Sequence, residues 1–432
     1  MIKILQVRNI DSFVESRRQK TSEKDRKTVQ SILNDVKRNG DSAVKKYERK
    51  FNGRKTSHLR VSAKEIKEVR SKISSLEREA IRESRWRLVG MESEYLEILP
   101  SYKFKDAKGE LVKDFLKTTK SFTPIPSVGC YVPGGQARYP SSAIMSVVPA
   151  KVAGVKRIVV VSPPGRDGKI DPLTIAAAKM CGATEIYKVG GAQAIGALAY
   201  GTKSIPKVDK IVGPGGKFVS IAKSLVSDQT AIDMVAGPTE LGIMADTSSD
   251  PELVALDLIS QAEHSKDTMC FVITQSKTMA KQIQKSIEKL IPGTERSSII
   301  KESISKNGFI AVCKNENEMV ELANKIAPEH MELMVKNAKS LSKKITGAGL
   351  LLIGKYSPSA ASDYSLGTNH ILPTNGFGRT RGGLSVLDFM KLQTVVEAEQ
   401  GKLHQKLRSI KALTDAEGLP NHYKAVKRRV DE

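Results

Sequence analysis

Between Arg157 and Leu225 the chain alternates in a way that leaves few architectures open. The β-branched run Arg157–Ser162, RIVVVS, stops at Pro163-Pro164-Gly165, Pro172–Cys181 is a short alanine-rich helix, and Glu185–Val189 is a second strand. Gly190-Gly191 turns into the helix AQAIGALAYG, Val208–Val212 is a third strand, and Gly213-Pro214-Gly215-Gly216 leads into a helix over Lys217–Leu225. Strand, helix, strand, glycine turn, helix is the alternation of a parallel α/β sheet, because parallel neighbours need a crossover helix between them. A second such region starts at Leu241–Ala245 and continues through a helix near 253–264, a strand Met269–Thr274, a helix Thr278–Leu290 and strands Phe309–Val312 and Gly349–Ile353. With 432 residues the chain should divide into two or three domains rather than fill one core.

The flanks read as helical. Residues 1 to about 25 look like a charged arm. Val29, Ile32, Leu33 and Val36 have helical spacing closed by Gly40, and Asp41 or Ser42 can cap a following helix carrying Val44, Tyr47 and Phe51. Ala63–Leu99 reads as one charged amphipathic helix ended by Pro100, and the chain from about Leu384 reads as charged helix.

Composition removes several function classes. Hydrophobic residues are 40 % of the chain, with no apolar run long enough to span a bilayer, so no membrane partner is expected. The opening MIKILQVRNI carries Lys3 and Arg8 inside its apolar part and does not read as a signal peptide, which points to the cytoplasm. Cys130, Cys181, Cys270 and Cys313 lack CxxC spacing and fit a reducing compartment. The net charge of +23 raises nucleic acid as a partner, but the charge is spread along the chain and aromatics are only 5 %. With no stacking platform or zinc finger, a basic enzyme with anionic cofactors is the simpler reading, and no nucleic-acid partner is expected.

Chemistry-bearing residues gather in a few polar clusters. In Leu253–Ser265 a helix would project Gln261 and His264 from one face, where amide and imidazole could begin a metal site; a solvated helix end is the competing reading. Ala327-Pro328-Glu329-His330 sets a carboxylate beside an imidazole, a pair suited to moving protons, although Glu in the first turn of a helix reads the same way. Ser362–His370 holds Asp363 and His370 in a Ser/Asp/Asn-rich turn, and Glu417–His422 adds another such pair. His58 and His404 have no such company and read as surface residues. The turn at Gly190, Gly191 and Gly196 falls short of the dinucleotide fingerprint and is equally a tight βα turn. GCYVPGG at Gly129–Gly135 is a second glycine loop, with Tyr131 able to stack on a planar ligand, so the loops suggest a cleft at the C-terminal edge of a sheet.

Taken together these segments resemble the histidinol dehydrogenase family. The matching runs are NDVKRNGDSAVKKYERKF, GCYVPGG, VGGAQAIGALAYGT, VDKIVGPGG, AIDMVAGPTE, SQAEH, APEHMEL, SDYSLGTNHILPT, LSVLDFMK and AEGLPNH, in order from about residue 28 to 425. The resemblance implies two incomplete Rossmann-like parallel-sheet domains with helical N- and C-terminal arms. Its boundaries are an arm over 1–27, a first α/β domain over 28–128 plus 240–383, a second over 129–239, and a dimerisation arm over 384–432. It implies oxidation of L-histidinol through histidinal to L-histidine with two NAD, in a homodimer whose subunits share active sites. One Zn2+ per subunit is implied, held by Gln261, His264, Asp363 and His422 and serving to position substrate. His330 matches the general base and Glu329 the residue that activates water, while Thr239, His370 and Glu417 match substrate-binding positions. Tyr131, Gln193 and the Gly213–Gly216 turn match the cofactor side. The family usually has Asn where this chain has Gly216, and Ser where it has Thr239. A thiohemiacetal on Cys130 is conceivable chemistry, but its loop offers no partner histidine, and it is expected to be a packing residue. The competing activities are oxidation of another small amino- or hydroxy-alcohol on the same scaffold and, more distantly, nucleic-acid binding.

Overall fold

The structure is a computed structural model that describes residues 1–18, 22–53, 58–98, 117–134 and 138–431. Strand β1 (Lys3–Leu5) is followed by α1 (Ile10–Arg17), α2 (Glu23–Asn52), α3 (Ala63–Lys72) and α4 (Ser75–Ile98). Then come β2 (Lys117–Pro124), β3 (Ser127–Tyr131), α5 (Pro140–Val152), β4 (Arg157–Ser162), α6 (Pro172–Cys181), β5 (Glu185–Lys188) and α7 (Gly191–Tyr200). The first alternation closes with β6 (Lys210–Val212), α8 (Lys217–Val226) and β7 (Ala231–Ile232). The second runs β8 (Glu240–Ala245), α9 (Pro251–Ala262), β9 (Met269–Thr274), α10 (Lys277–Leu290), α11 (Ser297–Asn307), β10 (Phe309–Val312) and α12 (Glu316–Ile326). It ends with β11 (His330–Met334), α13 (Ala338–Ser342), β12 (Leu350–Ile353) and α14 (Ser359–Ser362), before β13 (Met390–Glu397), α15 (Gln400–His404), α16 (Leu407–Ala416) and α17 (Pro420–Val430).

Two parallel sheets result, of order β5-β4-β3-β6-β7 and β1-β10-β9-β8-β11-β12. Both belong to one compact unit, residues 1–94 with 125–389; the second unit comprises 95–124 with 390–432. In the first unit the fold is the expected α/β class. Along β11, Met331 and Leu333 enter the core shared with α12, while Met334 enters the core shared with α9 and α10. Strand alternation therefore turns His330 and Glu332 toward the α9 layer, on the face of Met334. In the second unit β13 pairs antiparallel with β2, and the helices α15 to α17 follow. Among the described residues no helix is long and apolar enough to cross a membrane.

Several elements differ from the sequence reading, each for a physical reason. The first residues are not an arm: β1 extends the six-stranded sheet beside β10, with Ile2 fully buried, and Val14 of α1 joins the core. Helix α2 kinks at Gly40, as expected, but it packs on α7 of the five-stranded sheet rather than with the 240–383 region. The approach is close because Gly196 has no side chain: a Cβ there would stand 3.1 Å from Leu33 and 3.3 Å from Val36. GCYVPGG is not only a loop, since Ser127–Tyr131 is the buried central strand β3; Gly135 lies outside the described residues. The helix expected over Ala63–Leu99 is two, and Pro100 lies outside the described residues. Ser74 starts the second of them as a capping box, with Glu77 N–H donating to its Oγ at 3.1 Å and its own N–H donating to Glu77 Oε2 at 2.8 Å. The stretch after Leu384 contains β13 before its helices begin, because backbone pairing with β2 overrides a charged, weakly patterned sequence.

Candidate active site

Four connections deliver chemical groups to one edge of the six-stranded sheet, the edge where its strands begin. Thr239 immediately precedes β8. The crossover helix α9 runs back toward that edge and places Gln261 on its last turn. The helix stops at Ala262, but Glu263 keeps helical dihedrals and the His264 N–H donates to the Gln261 carbonyl at 3.2 Å, so His264 follows Gln261 by one tightened turn, close to the spacing the sequence predicts. Helix α12 ends at Ala327 in the left-handed region (φ 51), and Pro328 then feeds Glu329 and His330 into β11. Glu329 and His330 are therefore at a strand start, not a helix start. Asp363 caps the short helix α14, and the loop beyond it brings back His370.

The geometry is tight. Glu329 Oε2 accepts the Glu240 backbone N–H at 3.0 Å and the Thr239 hydroxyl. Thr239 Oγ1 in turn accepts Gln261 Nε2–H at 2.7 Å, and Gln261 Oε1 receives the Ser359 hydroxyl at 3.4 Å. His330 stands between two carboxylates, with Nδ1 3.9 Å from Glu329 Oε2 and Nε2 3.9 Å from Asp363 Oδ1. Both distances exceed a hydrogen bond. The ring is only 2 % exposed and neither nitrogen has a hydrogen-bond partner among the described residues. His370 Nδ1 lies 3.2 Å from the Asp363 carbonyl, an acceptor, so this nitrogen carries the hydrogen and Nε2 is left with its lone pair.

Burial sets the protonation states. It draws His330 down to about 3 and His370 down to about 4, so both imidazoles are neutral at pH 7. It pushes Glu329 up to about 8, against the Thr239 and Glu240 hydrogen bonds and with help from the Glu240 and Asp363 carboxylates. Asp363 rises to about 6 through burial, opposed by nearby His264. Glu240, pushed up by burial to about 7, holds this corner from behind: its carboxylate accepts the Glu329 N–H at 3.3 Å and the Asn375 N–H at 2.9 Å. The sequence reading passes over Glu240, although a carboxylate opening the apolar run ELGIMA is a visible signal.

The glycine turns meet at the opposite kind of edge, where the strands of the five-stranded sheet end. There Tyr131 closes β3, Gly190 follows β5, and Gly213 follows β6. The strand order reverses between β3 and β6, the crevice where α/β sheets bind ligands. The N-terminus of α7 is already satisfied internally. Glu48, fully buried on α2, accepts Gly190 N–H at 2.9 Å and Gln193 Nε2–H at 2.7 Å, while the Tyr131 hydroxyl accepts Gly191 N–H at 3.1 Å. A phosphate cannot take the Gly190 and Gly191 amides without displacing these groups. Gln193 Oε1 is buried without a hydrogen-bond partner among the described residues. The Gly213 turn is braced differently: its N–H donates to Asp233 Oδ2 at 2.8 Å and its carbonyl accepts Lys223 Nζ–H at 2.9 Å. Gly213 has φ 109, and a Cβ there would land on the Tyr131 carbonyl oxygen. Cys130 is a packing residue, as expected: it is fully buried, donates weakly to the Ser146 carbonyl at 3.7 Å, and burial pushes its thiol up to about 12.

Thr239, Gln261, Glu329, His330, Asp363 and His370 thus converge, with His264 beside Asp363. Glu417 and His422 lie in the second unit, both exposed, on the end of α16 and on α17. His58 and His404 are exposed, as expected. Among the described residues no three His, Cys, Asp or Glu side chains are grouped to hold a metal ion. The donors at hand are an amide oxygen, an imidazole and a carboxylate, a set that suits a borderline cation such as zinc once a fourth ligand joins it.

Known proteins match this chain along its whole length. The sequence model of histidinol dehydrogenase covers residues 15–430. A histidinol dehydrogenase of Methanococcus maripaludis is 44 % identical over 406 residues, 94 % of this chain and 93 % of the relative. That of Oceanobacillus iheyensis is 41 % identical over 401 residues, 93 % of this chain and 92 % of the relative. The crystal structure of the histidinol dehydrogenase from Elizabethkingia anophelis superposes with a TM-score of 0.91 at 31 % identity, spanning 100 % of this chain and 98 % of that one. With sequence, fold and full-length coverage in agreement, the chain belongs to the histidinol dehydrogenase family, and it is an oxidoreductase.

Proposed function

We propose that the chain oxidises L-histidinol through L-histidinal to L-histidine with NAD, in the cytoplasm, at a site that holds one zinc ion per subunit and is shared across a homodimer. The observation that carries this reading is His330, a buried neutral imidazole with both nitrogens unpartnered between Glu329 and Asp363. Such a group has a lone pair free to accept a proton, and the two flanking carboxylates would stabilise the imidazolium that results. When bound, zinc supplies a Lewis-acidic anchor for the substrate's imidazole and amine, and NAD supplies the hydride acceptor.

In the first oxidation His330 takes the hydroxyl proton while the carbinol hydrogen leaves as hydride, giving the aldehyde. Glu329 then removes a proton from water as it adds to that aldehyde. The hydrated aldehyde loses a second hydride to become the carboxylate. One water enters, and two hydrides leave with the protons of the alcohol and the water. A carboxyl at about 8 is mostly protonated at pH 7, so the carboxylate that this step needs is the minor form there and grows as pH rises. Thr239 holds Glu329 in orientation, and His370 offers its bare Nε2 to the substrate.

Gln261, His264 and Asp363 are the ligands this unit provides, and His422 of the partner subunit completes the four, with Glu417 of the partner subunit binding substrate. Exposed apolar residues in the second unit, including Leu392, Val395, Val396 and Leu413, support a subunit interface there. Tyr131, Gln193 and the Gly213–Gly216 turn form the cofactor side. With α7 closed by Glu48, the pyrophosphate is assigned to the turn before α8, an open helix start. The four buried cysteines, all free, suit a reducing cytoplasm.

Removing metal with a chelator should abolish turnover, and zinc should restore it. His264→Ala should hold well under one zinc per chain by metal analysis, because three ligands leave the site open. A fully active His264→Ala enzyme free of metal would defeat the zinc assignment. On the cofactor side, Gly216 has φ −65 and an added Cβ meets nothing within 4 Å, so asparagine fits there. Gly216→Asn should tighten NAD binding a few-fold, the effect of one hydrogen bond of about 1 kcal/mol. Unchanged affinity in a titration would place the dinucleotide elsewhere on the turn. Lys217 is no substitute contact as it stands, being paired with Asp25.

A further inference from the structure

Behind the proposed metal ligands lies an acidic pair with no part in the chemistry above. Glu332 is two residues beyond His330 on β11 and 2 % exposed. An ionisable group in a central strand, flanked by Met331 and Leu333, is tolerated only if its oxygens are bonded. They are. Oε1 accepts the Ser359 backbone N–H at 2.6 Å, and one proton held between the Glu332 and Asp257 carboxyls joins them, burial pushing both above the usual carboxylate range. Both partners lead directly to proposed ligands. Asp257 stands one helical turn before Gln261 on α9. Ser359 opens the short helix whose cap is Asp363, and its hydroxyl donates to Gln261 Oε1.

The bonds have fixed directions. Ser359 O–H donates to the Gln261 oxygen, the Gln261 amide N–H donates to Thr239, and the Thr239 hydroxyl donates to Glu329. An amide oxygen has two lone pairs, so Ser359 uses one and the other remains for a cation. The chain from Glu332 to Glu329 therefore determines which way the Gln261 amide points.

We propose that Glu332 is a positioning residue for the metal centre: through Asp257 and Ser359 it clamps α9 to the Ser359–Ser362 turn, and so sets the spacing of Gln261 and Asp363. This rests on the zinc reading above. Glu332 touches neither substrate nor cofactor; its effect passes through the two ligands.

The test is the zinc dissociation constant, from competition with a chromogenic chelator, in wild type, Glu332→Gln, Glu332→Leu and Ser359→Ala. Glu332→Gln keeps an oxygen for the Ser359 N–H and gains an N–H for Asp257, so it should bind zinc within about threefold of wild type. Glu332→Leu should bind zinc about 10–100-fold more weakly, the usual cost of losing a partner behind a ligand. Its NADH affinity, read by fluorescence, should be unchanged, since that cleft belongs to the other sheet. Ser359→Ala should weaken zinc a few-fold. A purely structural role would lower the melting temperature of Glu332→Leu and leave its zinc affinity intact, which overturns the proposal. So does a Glu332→Gln enzyme as impaired as the leucine variant. If Glu332→Leu does not fold, Asp257→Ala, which removes the side-chain arm of the clamp on α9, replaces it, and wild-type zinc affinity there overturns the proposal. Wild-type protein that binds no zinc defeats the metal reading itself, a separate outcome visible in the same experiment.

Discussion

His330→Asn is expected to lower kcat for histidinol by about a hundredfold or more, the scale of a lost general base. Asparagine keeps polar atoms in the cavity but cannot take a proton at neutral pH. Burial leaves the imidazole neutral with a lone pair to offer, and the Glu329 and Asp363 carboxylates, each 3.9 Å away, would stabilise the imidazolium as it forms. Glu329→Gln should divide the two oxidations. Supplied with histidinol, it should still form the aldehyde; supplied with histidinal, it should be far slower than wild type. The sign of the pH dependence follows from the direction of the shift. Glu329 is active as the carboxylate and its pKa is raised to about 8, so histidinal oxidation should climb as pH rises toward that value. In Glu329→Gln that rise should vanish. Normal histidinal oxidation by Glu329→Gln would remove the residue from the water step.

Mixing two inactive variants should restore activity if the site is shared between subunits. His330 belongs to the first unit and His422 to the second. In a heterodimer of His330→Ala and His422→Ala chains with shared sites, one site collects both lesions and the other collects neither. Random exchange makes about half of the dimers mixed, each with one intact site, so about a quarter of wild-type activity should return. If each site is built within one chain, every site keeps one lesion and the mixture stays dead. Subunit exchange verified by mass, with no recovery, would refute the shared site. The prediction has a structural motive. The first unit offers an amide, an imidazole and a carboxylate at the strand-start edge, while His422 stands exposed on α17.

What the sequence determined by itself was the alternation and the donors. RIVVVS, its glycine turns and the small-residue helices dictate a parallel sheet because β-branched runs and crossover helices leave little else to build. The motif runs selected Gln261, His264, Glu329, His330, Asp363 and His370 before any geometry existed, since each is a polar group whose identity alone carries chemistry. Tertiary structure decided the rest, wherever a long-range contact outweighs local preference. APEHM has the local signals of a helix start, yet β11 begins at His330, with Glu329 just before it, because β8 and β12 pair with the strand on both sides. GCYVP reads as a loop, yet it runs through the middle of a sheet, where burial on both faces hides the period-two pattern. Gln261 and His264 keep the one-turn spacing read from the sequence, but only the fold shows that the α-helix ends at Ala262 and a tighter turn carries His264 on. Glu48 and Glu332 carried no readable signal of role. Each is one carboxylate among 47 acidic residues, and only burial against a glycine amide or a serine amide distinguishes it.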